Sequence, residues 1–286
     1  MKKKFFTCMP RLILSLIICI GMLLPINVNA SEFVPETYNE YELIMEKINS
    51  IKKNRSVNSS ELETAIKELE MLKKHIYSMK EWSIDQLKSA NYTETQIENI
   101  RTYDGSNEKT SRAAASISRT KARFEIKRYD SSKKRTKAKV YLTYTMNGVP
   151  SPNLNAAIAV GLNDGGIWFD SGSGNMVVKY QSYYNNSYHY VEYDHTGVAA
   201  SQSTGARVFN YNLHKTINNY AYYANTITIN FEASRQGNIQ VVTCVNKFTR
   251  ETFGASGSIG LSLSGLSMSF TGSKRTEEIN FSAFQS

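Results

Sequence analysis

Lys137-Ala-Lys-Val-Tyr-Leu-Thr-Tyr-Thr-Met146 is the stretch that decides the fold class. Val, Tyr and Thr fit a pleated, half-buried surface, so the run reads as a strand. Residues 156–162, 176–184, 207–213, 222–231 and 239–248 have the same texture, and clusters of Gly, Asn, Ser and Asp separate them. No ten-residue helical pattern intervenes. Short strands at this spacing predict an antiparallel sandwich or barrel, and we expect a β-sandwich over 117–286.

Upstream the periodicity is different. Tyr41, Ile44, Met45, Ile48 and Ile51 recur at helical spacing, as do Leu62, Ala65, Leu69, Leu72, Ile76 and Met79. Ser60 with Glu63, Ser83 with Gln86 and Thr93 with Gln96 each have a helix-capping residue followed three positions later by Glu or Gln. Gly105 suits a helix stop. The expected organisation is α+β: an α-helical region over 31–105, a polar Ala/Ser-rich linker over 106–116, then the sandwich.

The first 30 residues have the order of a secretory signal. Lys2, Lys3, Lys4 and Arg11 supply positive charge, residues 12–24 an apolar run, and Val28-Asn29-Ala30 small residues at a cleavage site after Ala30. A membrane span needs roughly 20 apolar residues, more than this run offers. Cleavage would leave a secreted, extracellular chain. Cys8 and Cys19 would leave with the signal, so Cys244 could form no intramolecular disulfide and stability must come from packing. Cys244 lies in a strand-like run and reads as a small buried hydrophobe.

The motif Trp82-Ser83-x-x-Gln86-Leu87-x4-Tyr92-x3-Gln96-Ile97-x2-Ile100-Arg101-x-Tyr103-Asp104-Gly105 resembles one found in a loose group of secreted proteins of Gram-positive bacteria. Residues 137–144, Ile158-Ala-Val160 and the Ser/Gly-rich tail from Ser256 extend that similarity over most of the chain. The resemblance implies export and this architecture. The group has no assigned activity, so it implies no catalytic residue.

Charge is unevenly distributed. Residues 31–110 carry 11 Lys/Arg against 15 Asp/Glu, and residues 111–286 carry 19 against 10. Residues 119–139 hold ten basic side chains, from which we take Arg119, Lys121, Arg123, Lys127, Lys133, Lys134, Arg135, Lys137 and Lys139 as a candidate basic face. Such a face suits anionic envelope polymers or lipid headgroups, and export argues against nucleic acid as the partner. The competing reading is a solvated strand face. Ten of the 18 tyrosines fall between Tyr180 and Tyr223, with Asn and Ser interspersed. Tyr pairs a flat apolar ring with one hydroxyl, so Tyr183, Tyr184, Tyr188 and Tyr190 form a candidate glycan-binding surface. Strand propensity alone also explains the enrichment.

Signals for catalysis are weak. His189 and His195 share a strand face but lie six residues apart, roughly 20 Å at ~3.3 Å per residue, too far to hold one metal ion on a straight strand. No Gly-x-Ser-x-Gly sits on a strand–turn–helix, and the Gly-rich turns at 164–166 and 172–174 precede no helix. We expect no cofactor and no metal. The expected function is non-enzymatic binding at the cell surface or in the medium, to cell-wall glycan or an anionic envelope polymer. A membrane-active or antagonistic protein is the alternative, and an extracellular hydrolase the third. In the tail, Ile259, Leu261 and Leu263 alternate with Ser or Gly, and the phase shifts at Gly265 before Leu266, Met268 and Phe270. Two short strands around a turn or bulge suit that pattern. Membrane-inserting hairpins alternate in the same way, but one buried face of the sandwich also accounts for it.

Overall fold

The computed structural model describes residues 36–53, 59–151, 155–163, 168–170, 174–182, 189–194, 198–199, 206–251, 260–264, 267–271 and 276–286. The signal-like segment and Ala30 lie outside them. Residues 35–286 form one compact unit.

The chain enters through strand β1 (Glu36–Asn39) and five helices: α1 (Glu40–Lys53), α2 (Ser59–Ser78), α3 (Ile84–Ser89), α4 (Glu94–Arg101) and α5 (Asn107–Ala113). Two of the three expected caps form as read. Ser83 and Thr93 each accept from the backbone N–H of the Gln three residues on, and that Gln side chain accepts from the cap's own N–H. These reciprocal bonds satisfy donors that a helix start leaves open. Ser60 falls inside α2, which already begins at Ser59. Residues 107–113, expected within a linker, are helical. Ser106 caps that helix through the Lys109 N–H, and Ala113 and Ala114 bury against the other helices. Small residues read as loop composition here serve close packing.

The strands that follow are β2 (Ser116–Asp130), β3 (Arg135–Asn147), β4 (Asn155–Asn163), β5 (Trp168–Phe169), β6 (Asn175–Ser182), β7 (His189–Asp194), β8 (Val198–Ala199), β9 (Ala206–Asn212), β10 (His214–Ile217), β11 (Tyr220–Gln236), β12 (Thr243–Glu251), β13 (Gly260–Ser264), β14 (Ser267–Thr271) and β15 (Thr276–Gln285). One eight-stranded sheet runs β1-β2-β3-β11-β6-β7, with β5 and β10 also on β11. A five-stranded sheet runs β15-β12-β4-β9-β8. The fold is therefore α+β, a small helical region followed by antiparallel sheets packed as a sandwich. The alternation of β3 shows why. Ala138, Val140, Leu142, Tyr144 and Met146 point inward and are buried, and the last four share one core with Ile158, Val160, Phe209, Phe248 and Phe281 from the second sheet. The tail joins neither sheet: β13 and β14 pair only with each other among the described residues.

Helices and sandwich share contacts. Tyr223 of β11 is buried in the helical core and donates to the Ser89 carbonyl, and the Gly148 N–H donates to the Ala90 carbonyl. Beneath α1 lies a buried charge quartet. Arg250 of β12 donates to Glu40 and lies 3.6 Å from Glu68, while Lys47 donates to Glu68 at 3.1 Å. Glu40 also accepts from the backbone N–H of Ser151. Two cations and two carboxylates from α1, α2 and β12 thus neutralise one another out of water, where an unpaired charge would be costly.

Candidate functional site: the outer face of the large sheet

The basic run folds into the β2–β3 hairpin, but two bulges in β2 change which side chains meet solvent. Register against β3 slips between Arg119 and Lys121, and again between Phe124 and Ile126. Each bulged residue, Thr120 and then Glu125, reverses the alternation downstream of it. Lys121 and Arg123 face outward opposite Thr143 and Tyr141. After the second bulge Arg128 faces outward opposite Lys137, and Lys127 is turned to the side of Ala138.

Two expected members therefore leave the face. Arg119 pairs with Tyr144 on the inner side and is only 3% exposed. It makes an ion pair with Glu36 at 3.1 Å, donates to the Ser282 carbonyl, and lies over the rings of Phe281 and Phe284. This is a tie between the two sheets. Lys127 donates to the carbonyls of Gln240 and Ser286 and closes the end of the sandwich. Lys133 and Lys134 are exposed at the hairpin tip, where Lys134 adopts φ 48°.

What remains is a flat, strand-supported face. Lys121, Arg123 and Arg128 on β2 stand beside Arg135, Lys137 and Lys139 on β3, and exposed Lys179 on β6 lies beyond Thr226 of β11. Glu125, Asp130 and Glu232 oppose them, with Glu125 3.3 Å from Lys139. Asp130 accepts from Ser132 and the Lys133 N–H, which lowers its pKa and keeps it charged. Lys121, Lys137 and Arg128 have no carboxylate partner among the described residues. Arg123 lies over the Tyr141 ring at 5.5 Å, an arrangement that holds the guanidinium in place. Between the charges, Thr143, Thr145, Thr226 and Thr228 present hydroxyls on the same face. Basic residues two apart on one strand sit about 6.7 Å from each other, a repeating cationic lattice.

Arg128 and Lys179 were not among the residues singled out from the sequence. Arg128 lies within the basic run, but only the register of β2 puts it on this face, and only the pairing of β6 brings Lys179 there.

The aromatic cluster divides differently. Tyr180, Tyr211, Tyr222 and Tyr223 are buried, and Tyr180 donates to the Asn212 carbonyl. Tyr220 is 44% exposed. Tyr183, Tyr184 and Tyr188 lie outside the described residues. Tyr190 is placed on β7 opposite Tyr180 by register only. Much of the tyrosine enrichment is thus core packing.

Cys244 is fully buried, and burial pushes its thiol well up from the ordinary value, away from the thiolate a nucleophile needs. His75 bonds the Val149 carbonyl and half-buried His214 heads β10, and no metal-type cluster forms among the described residues. The cleft between Tyr38, Leu43, Met146, Leu213 and Phe248 has room for about one water molecule. No described helix is long and apolar enough to cross a membrane.

No protein-family model matches the chain. No curated protein matches it either. Among solved structures, one named "Pore forming protein" is similar at 9% identity and a TM-score of 0.27, covering 60% of this chain and 86% of that one. Agreement this loose establishes neither a shared family nor a function.

Proposed function

We propose that the chain is an exported, non-enzymatic binding protein that engages an anionic cell-envelope polymer through the outer face of its large sheet. One observation carries this reading: Lys121, Arg123, Arg128, Lys137 and Lys179 stand on one rigid, solvent-facing surface with fewer carboxylates than cations. A face of one prevailing sign attracts a polyanion over the screening length, about 8 Å at physiological ionic strength. Strands hold the cations at fixed spacing, so little backbone order is lost on binding.

Sedimentation of the purified protein with isolated cell walls, at low and at high salt, tests it. Binding that is strong in low salt and falls steeply as salt rises supports the reading. Salt-insensitive binding would move the site to an uncharged surface such as the tyrosines around 183–190.

A further inference from the structure

Directly opposed residues of an antiparallel pair share a face, so the register of the large sheet sorts its outer side chains into rows that cross the strands. One row sets Lys121, Thr143 and Thr228 side by side on β2, β3 and β11. The next sets Arg123, Tyr141, Asn230 and Asn175 side by side on β2, β3, β11 and β6. Each of these side chains is exposed or half-buried, whereas Leu142, Ile227 and Ile229, which alternate with them along β3 and β11, are buried on the inner side. The two rows contain no carboxylate. Glu232 and Asp130 lie in rows nearer the hairpin tip, opposite Lys139 and Arg135.

The chemistry of these rows exceeds what a charged ligand alone requires. An ionised carboxylate or phosphate only accepts hydrogen bonds, so Lys and Arg, which only donate, suffice to hold it. Thr, Tyr and Asn side chains both donate and accept. The hydroxyls of Thr143 and Thr228 and the amide of Asn230 make no hydrogen bond among the described residues. The Asn175 amide oxygen likewise accepts none there. Tyr141 adds a third unengaged hydroxyl beside Thr143, with the Arg123 guanidinium over its ring at 5.5 Å. Free acceptors on a cationic face have no use toward an anion. They suit a ligand hydroxyl, which donates as well as accepts. A sugar ring carries several such hydroxyls on adjacent carbons.

We propose that the polymer this face binds is a polysaccharide bearing anionic groups. Its sugar hydroxyls bond along Thr143, Thr228, Asn230 and Asn175, and its anions meet Lys121, Arg123 and the cations toward the hairpin tip. The proposal rests on the polymer-binding reading above and narrows its ligand class. A polyanion without sugar hydroxyls engages the cations and leaves the two rows of hydroxyls and amides unused.

Two probes that carry one carboxylate per repeat on different backbones, polygalacturonate and poly-L-glutamate of matched length, separate the two contributions. Their affinities for the purified protein are measured by biolayer interferometry at one low salt concentration. Polygalacturonate should bind about tenfold more tightly than poly-L-glutamate, a few net hydrogen bonds' worth. Thr143→Val with Thr228→Val keeps the branched shape and removes both hydroxyls. It should lower polygalacturonate affinity about tenfold and poly-L-glutamate affinity less than about twofold. Thr143→Ser with Thr228→Ser keeps both hydroxyls and should keep the preference, with circular dichroism confirming the fold of each variant. Equal affinity for the two probes overturns the sugar assignment and leaves charge-driven polymer binding standing. A preference that survives the Val pair, or is lost in the Ser pair, also overturns it. Failure of both probes to bind at low salt overturns the polymer-binding reading, and this proposal with it.

Discussion

Replacing Arg250 with Met tests whether the helical region is bound to the sandwich by its buried charges. Arg250 is 2% exposed, and its guanidinium serves Glu40 and Glu68, each 5% exposed. Met keeps an unbranched apolar stem but not the charge. The variant takes the guanidinium away from both buried carboxylates, Glu40 and Glu68. Removing one partner of a buried ion pair costs about 3–5 kcal/mol, mostly as the penalty of the charge left behind. For a chain of this size each kcal/mol lowers the melting temperature by about 2–4 °C, so Arg250→Met should melt about 6–20 °C below wild type. The mechanism predicts its own rescue. Adding Glu40→Gln removes one stranded charge while its amide oxygen can still accept from the Ser151 N–H, and the double variant should recover at least ~1 kcal/mol over the single. Urea denaturation followed by circular dichroism measures both. A loss under ~1 kcal/mol for Arg250→Met, or a double variant no better than the sum of the singles, would refute the reasoning.

Two further outcomes follow from local geometry. Gly148 sits at φ 90°, and a Cβ there would lie 2.2 Å from the Tyr92 ring. Gly148→Ala should therefore cost more than about 2 kcal/mol, read by urea denaturation, and Tyr92→Leu in the same chain should relieve only the clash and not the backbone strain. Burial, and secondarily the charge of His75, lowers the pKa of half-buried His214 below its ordinary 6.5. A lowered imidazole pKa means that the unfolded chain takes up the proton first. Stability is then full above about pH 7 and declines as pH falls through 6.5 toward the folded pKa. His214→Asn should flatten that decline in melting temperature between pH 7.5 and 5.5; an unchanged slope would remove His214 as its cause.

Much of the fold was legible because local and long-range signals agreed. Ser83 with Gln86 and Thr93 with Gln96 carried their capping chemistry in four residues each, and β3 carried its own β character. Helix α5 was missed because the short polar run from Asn107 to Arg112 resembles a linker until Ala113 and Ala114 are seen against the helical core. The candidate face was only half legible. Strand alternation over 119–127 would put Arg119, Lys121, Arg123 and Lys127 on one side. The bulges at Thr120 and Glu125, set by pairing with a distant partner strand, send Arg119 and Lys127 away and bring Arg128 out. The tyrosines misled for a related reason: the property that makes Tyr a good contact residue also makes it a good strand residue, and only burial separates Tyr180 and Tyr211 from a binding surface.

That reversal provides the most direct measurement of the central claim. Lys127 and Arg128 are adjacent and equal in charge, but the bulge puts them on opposite sides of β2. Lys127→Gln and Arg128→Gln should be compared in cell-wall sedimentation at low salt, with circular dichroism confirming the fold of each. The account predicts that Arg128→Gln weakens binding about fivefold, the effect of roughly 1 kcal/mol per cation at an anionic surface, and that Lys127→Gln leaves it near wild type. Equal losses in the two variants, or the larger loss in Lys127→Gln, would contradict it.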